Sequence, residues 1–398
     1  MGIASPLGIG VDRFWEGLVA GRSGVRCLED EVFRSLPSRI GARVDDSELD
    51  RFTTVRDRRR MSRASQLALA AADEAVRQAN LEALSDEIKA GLAIVVGSSI
   101  GGFAASDPVF RDYYRAGKQS SLIIPISMNS APSANISIRY GFGGPQMTAD
   151  AACATSAHSI GLLYNMIRFG QVEIGITGGA DSPFAEAVMQ AWCNLRVVSL
   201  RNDEPATACR PFSADRDGIV LGEGSAILVL ETERSALRRN VPILAEIKGY
   251  GASSDGHHLT RSSQQGPVWA MERALHDSGM SPEEIDHINA HGTATLLNDS
   301  IETAAIKQVF GDRAYEIPVV AIKAAIGHSI GASGALEFAA CVQSLRNQVI
   351  PPTINYREAD PDCDLDYVTS GSRNLRVRNV MSNSFAFGGS NASLIVGL

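Results

Sequence analysis

Two stretches of small and apolar residues, Ala154 to Phe169 and Ser329 to Arg346, read as helices without a polar face. A helix of that kind is buried on every side, so a chain with one in each half needs a sheet on both sides of the pair. The flanking sequence supplies the strands. Ala93–Gly97, Ile174–Ala180 and the end of Gly218–Leu230 are continuous apolar runs in the first half; Ile243–Tyr250, Ile285–Ala290 and Pro318–Ile322 are their counterparts in the second. Such runs, alternating with helices expected at Phe14–Ala20, Ala64–Asn80, Val268–Gly279 and Asp299–Phe310, belong to sheets covered on both faces. The pattern predicts an α/β fold in two halves, residues 1–240 and 241–398, with the charged segment Glu231–Val241 as the boundary and the buried helices as a central layer. The opening Met1–Gly8, crowded with Gly and Pro, reads as turn and loop. It begins as though a strand had just ended, so a further strand is expected upstream. His158–Gly161 and His328–Gly331 spell the same four residues, a possible trace of duplication.

Several classes of function are disfavoured at the outset. A net charge of −8 leaves no general basic surface for nucleic acid or membrane. The longest apolar runs, such as Leu92–Val96 and Ala226–Leu230, are too short to span a bilayer. Cys27, Cys153, Cys193, Cys209, Cys341 and Cys363 are scattered, with no CxxC pair and no Cys/His cluster of zinc spacing, so no metal is expected. Unpaired cysteines without a leader segment point to a reducing cytoplasm.

Three loops that follow expected strands carry the reactive groups. The first holds Cys153, at the start of a helix, where unpaired N–H groups and the helix dipole favour a thiolate; the residue equally fits a small buried hydrophobe. The second is Asn289-Ala290-His291-Gly292-Thr293-Ala294-Thr295 and the third Lys323-Ala324-Ala325-Ile326-Gly327-His328-Ser329. A thiolate that accepts an acyl group, two neutral imidazoles that donate to an enolate oxygen, and an ammonium that keeps them neutral together suit a decarboxylative carbon–carbon bond formation. One basic patch stands out in this acidic chain: Arg56, Arg58, Arg59, Arg60 and Arg63, offset only by Asp57. A solvated charged face and an anion-docking surface both account for it.

These motifs, with Asn383-Ser384-Phe385-Ala386-Phe387-Gly388-Gly389-Ser390-Asn391-Ala392, resemble those of elongating β-ketoacyl-acyl-carrier-protein synthases, condensing enzymes of the thiolase superfamily. The resemblance covers almost the whole chain. It implies a duplicated five-layer αβαβα sandwich and a homodimer, or a heterodimer with a chain-length-factor-like subunit. It implies no cofactor, substrates arriving on the phosphopantetheine of an acyl carrier protein. Cys153 would carry the acyl group; His291 and His328 would serve decarboxylation; Lys323 would orient and tune His328, with Glu337 in support. The N–H groups of Cys153 and Phe387 would form the oxyanion hole, Phe387 also standing at the gate. Thr293, Thr295 and Thr260 would hold the pantetheine arm. Ile100, Trp192 and Phe385 would line the acyl pocket, which Ile123 would reach from the partner subunit. Arg56, Arg59, Arg60 and Arg196 would dock the carrier.

The chain departs from the family pattern at Ala386, Ala325 with Ile326, Leu296 and Trp192, all in walls or hinges, which points to altered acyl preference. Fatty-acid elongation and a type II polyketide or polyene ketosynthase share this mechanism. A non-catalytic chain-length-factor-like partner would lack the nucleophile, a degradative thiolase would bring a second cysteine, and an initiating synthase would have Asn in place of one His.

Overall fold

The computed structural model describes all 398 residues. Two sheets are formed, each from one half of the chain. The first runs in the order Gly8–Ile9, Gly2–Ser5, Gly224–Glu231, Ile174–Asp181, Ala93–Gly97, Gln146–Met147. The second runs Val319–Val320, His287–Asn289, Asn379–Phe385, Ser390–Gly397, Glu246–Ser254. Helices Arg63–Gln78 and Ala131–Tyr140 cover the outer face of the first sheet, and Gln265–Ser278 and Leu296–Phe310 that of the second. Helices Thr155–Arg168 and Ser333–Asn347 lie between the sheets. This is the expected αβαβα sandwich. One apolar core joins both central helices to both sheets, with Ile160, Leu228, Leu336, Val380 and Leu394 among its members, so the two halves share their interior.

The central layer depends on small side chains. A Cβ at Gly334 would stand 2.9 Å from the backbone nitrogen of Ala157, and Ser156 Oγ accepts from the Ala335 N–H at 2.8 Å. The second helix is buried from Ser333 through Leu345. The first is not apolar-buried throughout, as its composition suggested: Leu162 is 40% and Phe169 70% exposed, because its last turns emerge at the surface. Each helix springs from a 3-10 turn, Ala152–Ala154 or Ile330–Ala332, whose first residue has φ 47° despite its Cβ, a conformation that stores strain. The structural echo therefore pairs Ala152-Cys153 with Ile330-Gly331. The repeated His-Ser-Ile-Gly is not equivalent in the two halves, since His158 lies within its helix and His328 precedes one.

The opening residues differ from the turn expected of them. Gly2–Ser5 is a strand, antiparallel to Ser225–Ile227, and a Cβ at Gly2 would lie 2.1 Å from the Ala71 carbonyl oxygen. The glycine marks close approach to a helix, not a turn. The same cause moves the strand expected at Ile243–Tyr250 to Glu246–Ser254: Gly249 and Gly251 leave no room for a side chain against Ala274 and Ala270. Beyond Ile227, the strand Gly224–Glu231 has no neighbour on the side of Gly2–Ser5 and borders a groove of about 370 Å³ lined by Leu228, Leu230, Leu244, Phe338, Val342 and Val396. Met1, itself buried, also lines this groove. No helix is long and apolar enough to cross a membrane, and all six cysteines are free.

Candidate active site

Parallel strands His287–Asn289, Val319–Val320 and Asn379–Phe385 end side by side, and the residues just beyond them converge on Cys153. The Cys153 sulfur and one ring nitrogen each of His291 and His328 lie within 4.8 Å of one another. The two imidazoles meet edge to face at 5.5 Å, 86°. A cavity of about 110 Å³ opens over them, lined by Trp192, Thr260, Thr293, Thr295, Phe385 and Phe387, among others. The structure thus brings Cys153, His291 and His328 together with Thr260, Thr293, Thr295, Phe385 and Phe387 around one cavity.

The protonation of the trio follows from its neighbours. Burial pushes the Cys153 thiol up to about 12, opposed by the Lys323 charge and by a hydrogen bond from the Phe387 N–H. Desolvation outweighs the helix start, so the resting group is a thiol rather than the expected thiolate. His328 Nδ1 accepts from the Ile330 N–H at 3.3 Å and lies 2.9 Å from Ser333 Oγ. A backbone N–H can only donate, so the ring proton sits on Nε2, which is buried without a partner. His291 Nδ1 faces Lys323 Nζ at 3.3 Å; an ammonium has no acceptor, which places that ring's proton on Nε2 as well. Burial and the Lys323 charge hold both imidazoles well below the usual histidine range. The site thus presents two neutral N–H donors.

Lys323 does not orient His328, as the resemblance implied. Its Nζ donates to the His291 carbonyl oxygen at 2.6 Å and to Glu337, so it braces His291 and acts on His328 through charge alone. His328 is held instead by strand-like bonds to Val220 and Gly222. Glu337, fully buried in the central helix, is drawn both ways: burial pushes its carboxyl up to about 7 and Lys323 opposes. Glu302, which the sequence reading passed over, accepts from the N–H groups of His291 and Gly292 at 2.8 Å each. Asp181 was also missed; its buried carboxylate accepts from the N–H groups of Ser99, Ile100, Ser182 and Gly331. Neither carries a sequence signal beyond being an acid near a strand or helix end. A thiol with two imidazoles has the makeup of a metal site, but the adjoining ammonium opposes a cation.

Other expected residues separate into two groups. Thr293 and Thr295 face each other across Ala294, Oγ1 to Oγ1 at 3.0 Å. Trp192 stacks on Phe387 at 6.0 Å and 22°, and Phe385 lies 6.0 Å from the His291 ring. Ile100 packs in the apolar cluster that Trp192 also borders. Ile123, expected to enter a partner's pocket, is 4% exposed within its own chain, while Ile124 is 67% exposed, because the short helix Ile123–Ser127 turns its first residue inward. In the basic segment, Arg58 pairs with Asp50, and Arg63 is anchored by Asp46 and Glu223. Arg56, Arg59 and Arg60 stand exposed without ion pairs, as does Arg196.

The family model described as Beta-ketoacyl synthase, N-terminal domain, matches residues 1–236, and that described as Beta-ketoacyl synthase, C-terminal domain, matches residues 244–357. The chain belongs to the β-ketoacyl synthase family. Nodulation protein E of Rhizobium meliloti (strain 1021) is 39% identical over 99% of this chain and 97% of its own. The 3-oxoacyl-[acyl-carrier-protein] synthase 2 of Coxiella burnetii is 37% identical over 100% of this chain and 96% of its own. Among solved structures, the ishigamide ketosynthase/chain length factor superposes with a TM-score of 0.91 at 36% identity, covering 100% of this chain and 97% of that one. The synthase is accordingly an acyltransferase of the condensing type.

Proposed function

We propose that the protein is a β-ketoacyl-acyl-carrier-protein synthase, elongating an acyl chain by two carbons through decarboxylative condensation with a malonyl-carrier thioester. The observation that carries this is the convergence of the Cys153 sulfur with two imidazoles that both present N–H donors. The Cys153 sulfur attacks the carbonyl of the carrier-bound acyl thioester. The oxyanion is met by the Phe387 and Cys153 N–H groups, and the carrier thiol leaves with the proton. Malonyl-carrier then binds with its pantetheine arm along Thr293, Thr295 and Thr260 and loses CO₂. The enolate oxygen formed is met by Nε2–H of His291 and His328, its carbon attacks the Cys153 thioester, and the sulfur departs. Lys323 and Glu337 support His291. No resident cofactor or metal takes part.

We assign residues 1–240 to the nucleophile half and 241–398 to the half bearing the histidines, and place the enzyme in the cytoplasm in keeping with its free cysteines. The acidic carrier would dock on Arg56, Arg59, Arg60 and Arg196. A homodimer fits an exposed face at the first sheet's edge: both residues of strand Gln146–Met147 are exposed, and Phe103, Tyr114, Ile124 and Ile138 are 66–83% exposed. A heterodimer with a chain-length-factor-like subunit is the alternative assembly. A type II polyketide or polyene pathway is the second reading of the substrate, favoured by Trp192 stacked at the gate and by the likeness to the ishigamide ketosynthase.

Single-turnover condensation of malonyl-carrier with acyl primers of graded length and unsaturation tests the proposal; absence of condensation with every primer rejects it. Because burial and Lys323 depress both imidazoles, malonyl decarboxylation should show no inflection near the ordinary histidine value of about 6.5 as pH falls, measured as CO₂ release; protonation would remove the acceptor at Nδ1 and break the bonds from Ile330 and Lys323. Arg59→Glu with Arg60→Glu should weaken carrier binding by on the order of tenfold at low salt and less as salt rises, read by titration calorimetry.

A further inference from the structure

Phe387 belongs to the hairpin loop Ala386–Ser390 that links strands Asn379–Phe385 and Ser390–Gly397, whose ladder closes at Phe385 and Asn391. Two consecutive glycines in that loop, Gly388 with φ 79° and Gly389 with φ 75°, give it little backbone preference of its own. Its tethers therefore set where the Phe387 N–H points. Most come from the second half of the chain: the Gly388 N–H donates to the Leu259 carbonyl at 2.7 Å, and the Gly389 carbonyl accepts from the Asp255 N–H at 2.9 Å and from Asn391 Nδ2 at 3.0 Å.

One polar side-chain tether comes from the nucleophile's own helix. His158, five residues after Cys153, has Nε2 2.9 Å from Ser390 Oγ and Nδ1 2.6 Å from the Tyr250 hydroxyl. Its two nitrogens are both satisfied, and burial lowers its pKa to about 4, so the ring is a neutral strut. Tyr250 reaches it only because position 161 is glycine: a Cβ there would lie 2.4 Å from the tyrosine ring. The helix thus holds the loop at Ser390 through His158.

We propose that His158 is a positioning residue, which through Ser390 fixes the register of the Ala386–Ser390 loop against the helix of Cys153 and so aims the Phe387 N–H at the reacting sulfur and its thioester oxygen. The inference rests on the acyl-transfer role of Cys153 given above, but its first readout does not. Without the strut, the glycine pair lets the Phe387 N–H drift, and small misplacement of an oxyanion donor is costly to rate.

The test compares His158→Phe, His158→Gln, Ser390→Ala and the His158→Phe/Ser390→Ala double variant. The rate of Cys153 alkylation by iodoacetamide, with its pH dependence, reads the sulfur's surroundings without any acyl substrate; kcat and KM for condensation and the melting temperature are taken in parallel. His158→Phe and Ser390→Ala should each slow both alkylation and kcat by roughly tenfold or more, with KM for the carrier unchanged. The double variant should be no slower than the slower single, and His158→Gln, which can still bond Ser390, should recover part of the rate. Unchanged alkylation in both singles, additive effects in the double, or a fall in melting temperature with no change in rates would overturn the proposal. Slowed, non-additive alkylation would sustain the positioning role even if no acyl donor reacted, in which event the acyl-transfer reading alone fails.

Discussion

Cys153→Ala is expected to leave no acyl adduct on the protein and to lower condensation by at least about a thousandfold, the scale at which removal of a covalent nucleophile is felt. Intact-mass spectrometry after incubation with an acyl-carrier donor reads the adduct directly. The result discriminates because the other five cysteines are outside the cavity: Cys209, Cys341 and Cys363 are buried elsewhere, Cys27 is on the surface, and Cys193 packs against the apolar cluster that Ile100 and Trp192 also border. A single adduct that persists in the variant would refute the assignment. The raised thiol pKa sharpens the expectation further. Alkylation of Cys153 should accelerate only as pH climbs well above the ordinary thiol range, since burial rather than the helix start dominates the resting sulfur.

Lys323→Met should be the most damaging change to stability in the site. Lys323 is 1% exposed and Glu337 is fully buried, so the variant would leave the Glu337 carboxyl buried without its partner and the His291 carbonyl unpaired. Removing one partner of a buried pair costs about 3–5 kcal/mol, measurable by denaturant unfolding. Lys323→Met with Glu337→Leu should recover most of that loss, because a buried pair replaced by apolar groups of similar volume is often neutral. Decarboxylation should not recover: without the ammonium, His291 Nδ1 loses the donor that fixes its tautomer. Stability regained without activity would separate the structural from the chemical part of the pair. Recovery of both would mean that Lys323 serves packing only.

The layered fold and the trio were legible because both rest on local signals. Continuous apolar runs such as Ala93–Gly97 can hardly be other than buried strands, and that one begins and ends where it was expected. Cys153, His291 and His328 each sit where a strand gives way to small residues. What escaped the sequence has a common origin in close backbone approach. Gly2 reads as a turn residue, and the strand expected to stop at Tyr250 runs on through Gly251, yet Gly2, Gly249 and Gly251 are each a place where a strand lies flat on a helix, and nothing local distinguishes this use of glycine from a turn. The partner of Lys323 also differs: the family resemblance implied His328, whereas the turn Lys323–Ile326 aims the side chain at His291, from a different strand. Glu302 and Asp181 were invisible for the reason that their partners are backbone N–H groups, which every residue possesses.

The stack of Trp192 on Phe387 also has an optical consequence. The chain contains three tryptophans; Trp15 and Trp269 are outside the cavity, and Trp192 alone lines it, stacked on Phe387 in the cavity that Cys153 also lines. Any ligand that displaces the Phe387 ring changes the polarity around a single indole. The protein therefore carries an intrinsic fluorescent reporter of this cavity, and mixing with an acyl-carrier donor should change its emission, read in real time by stopped flow without a label.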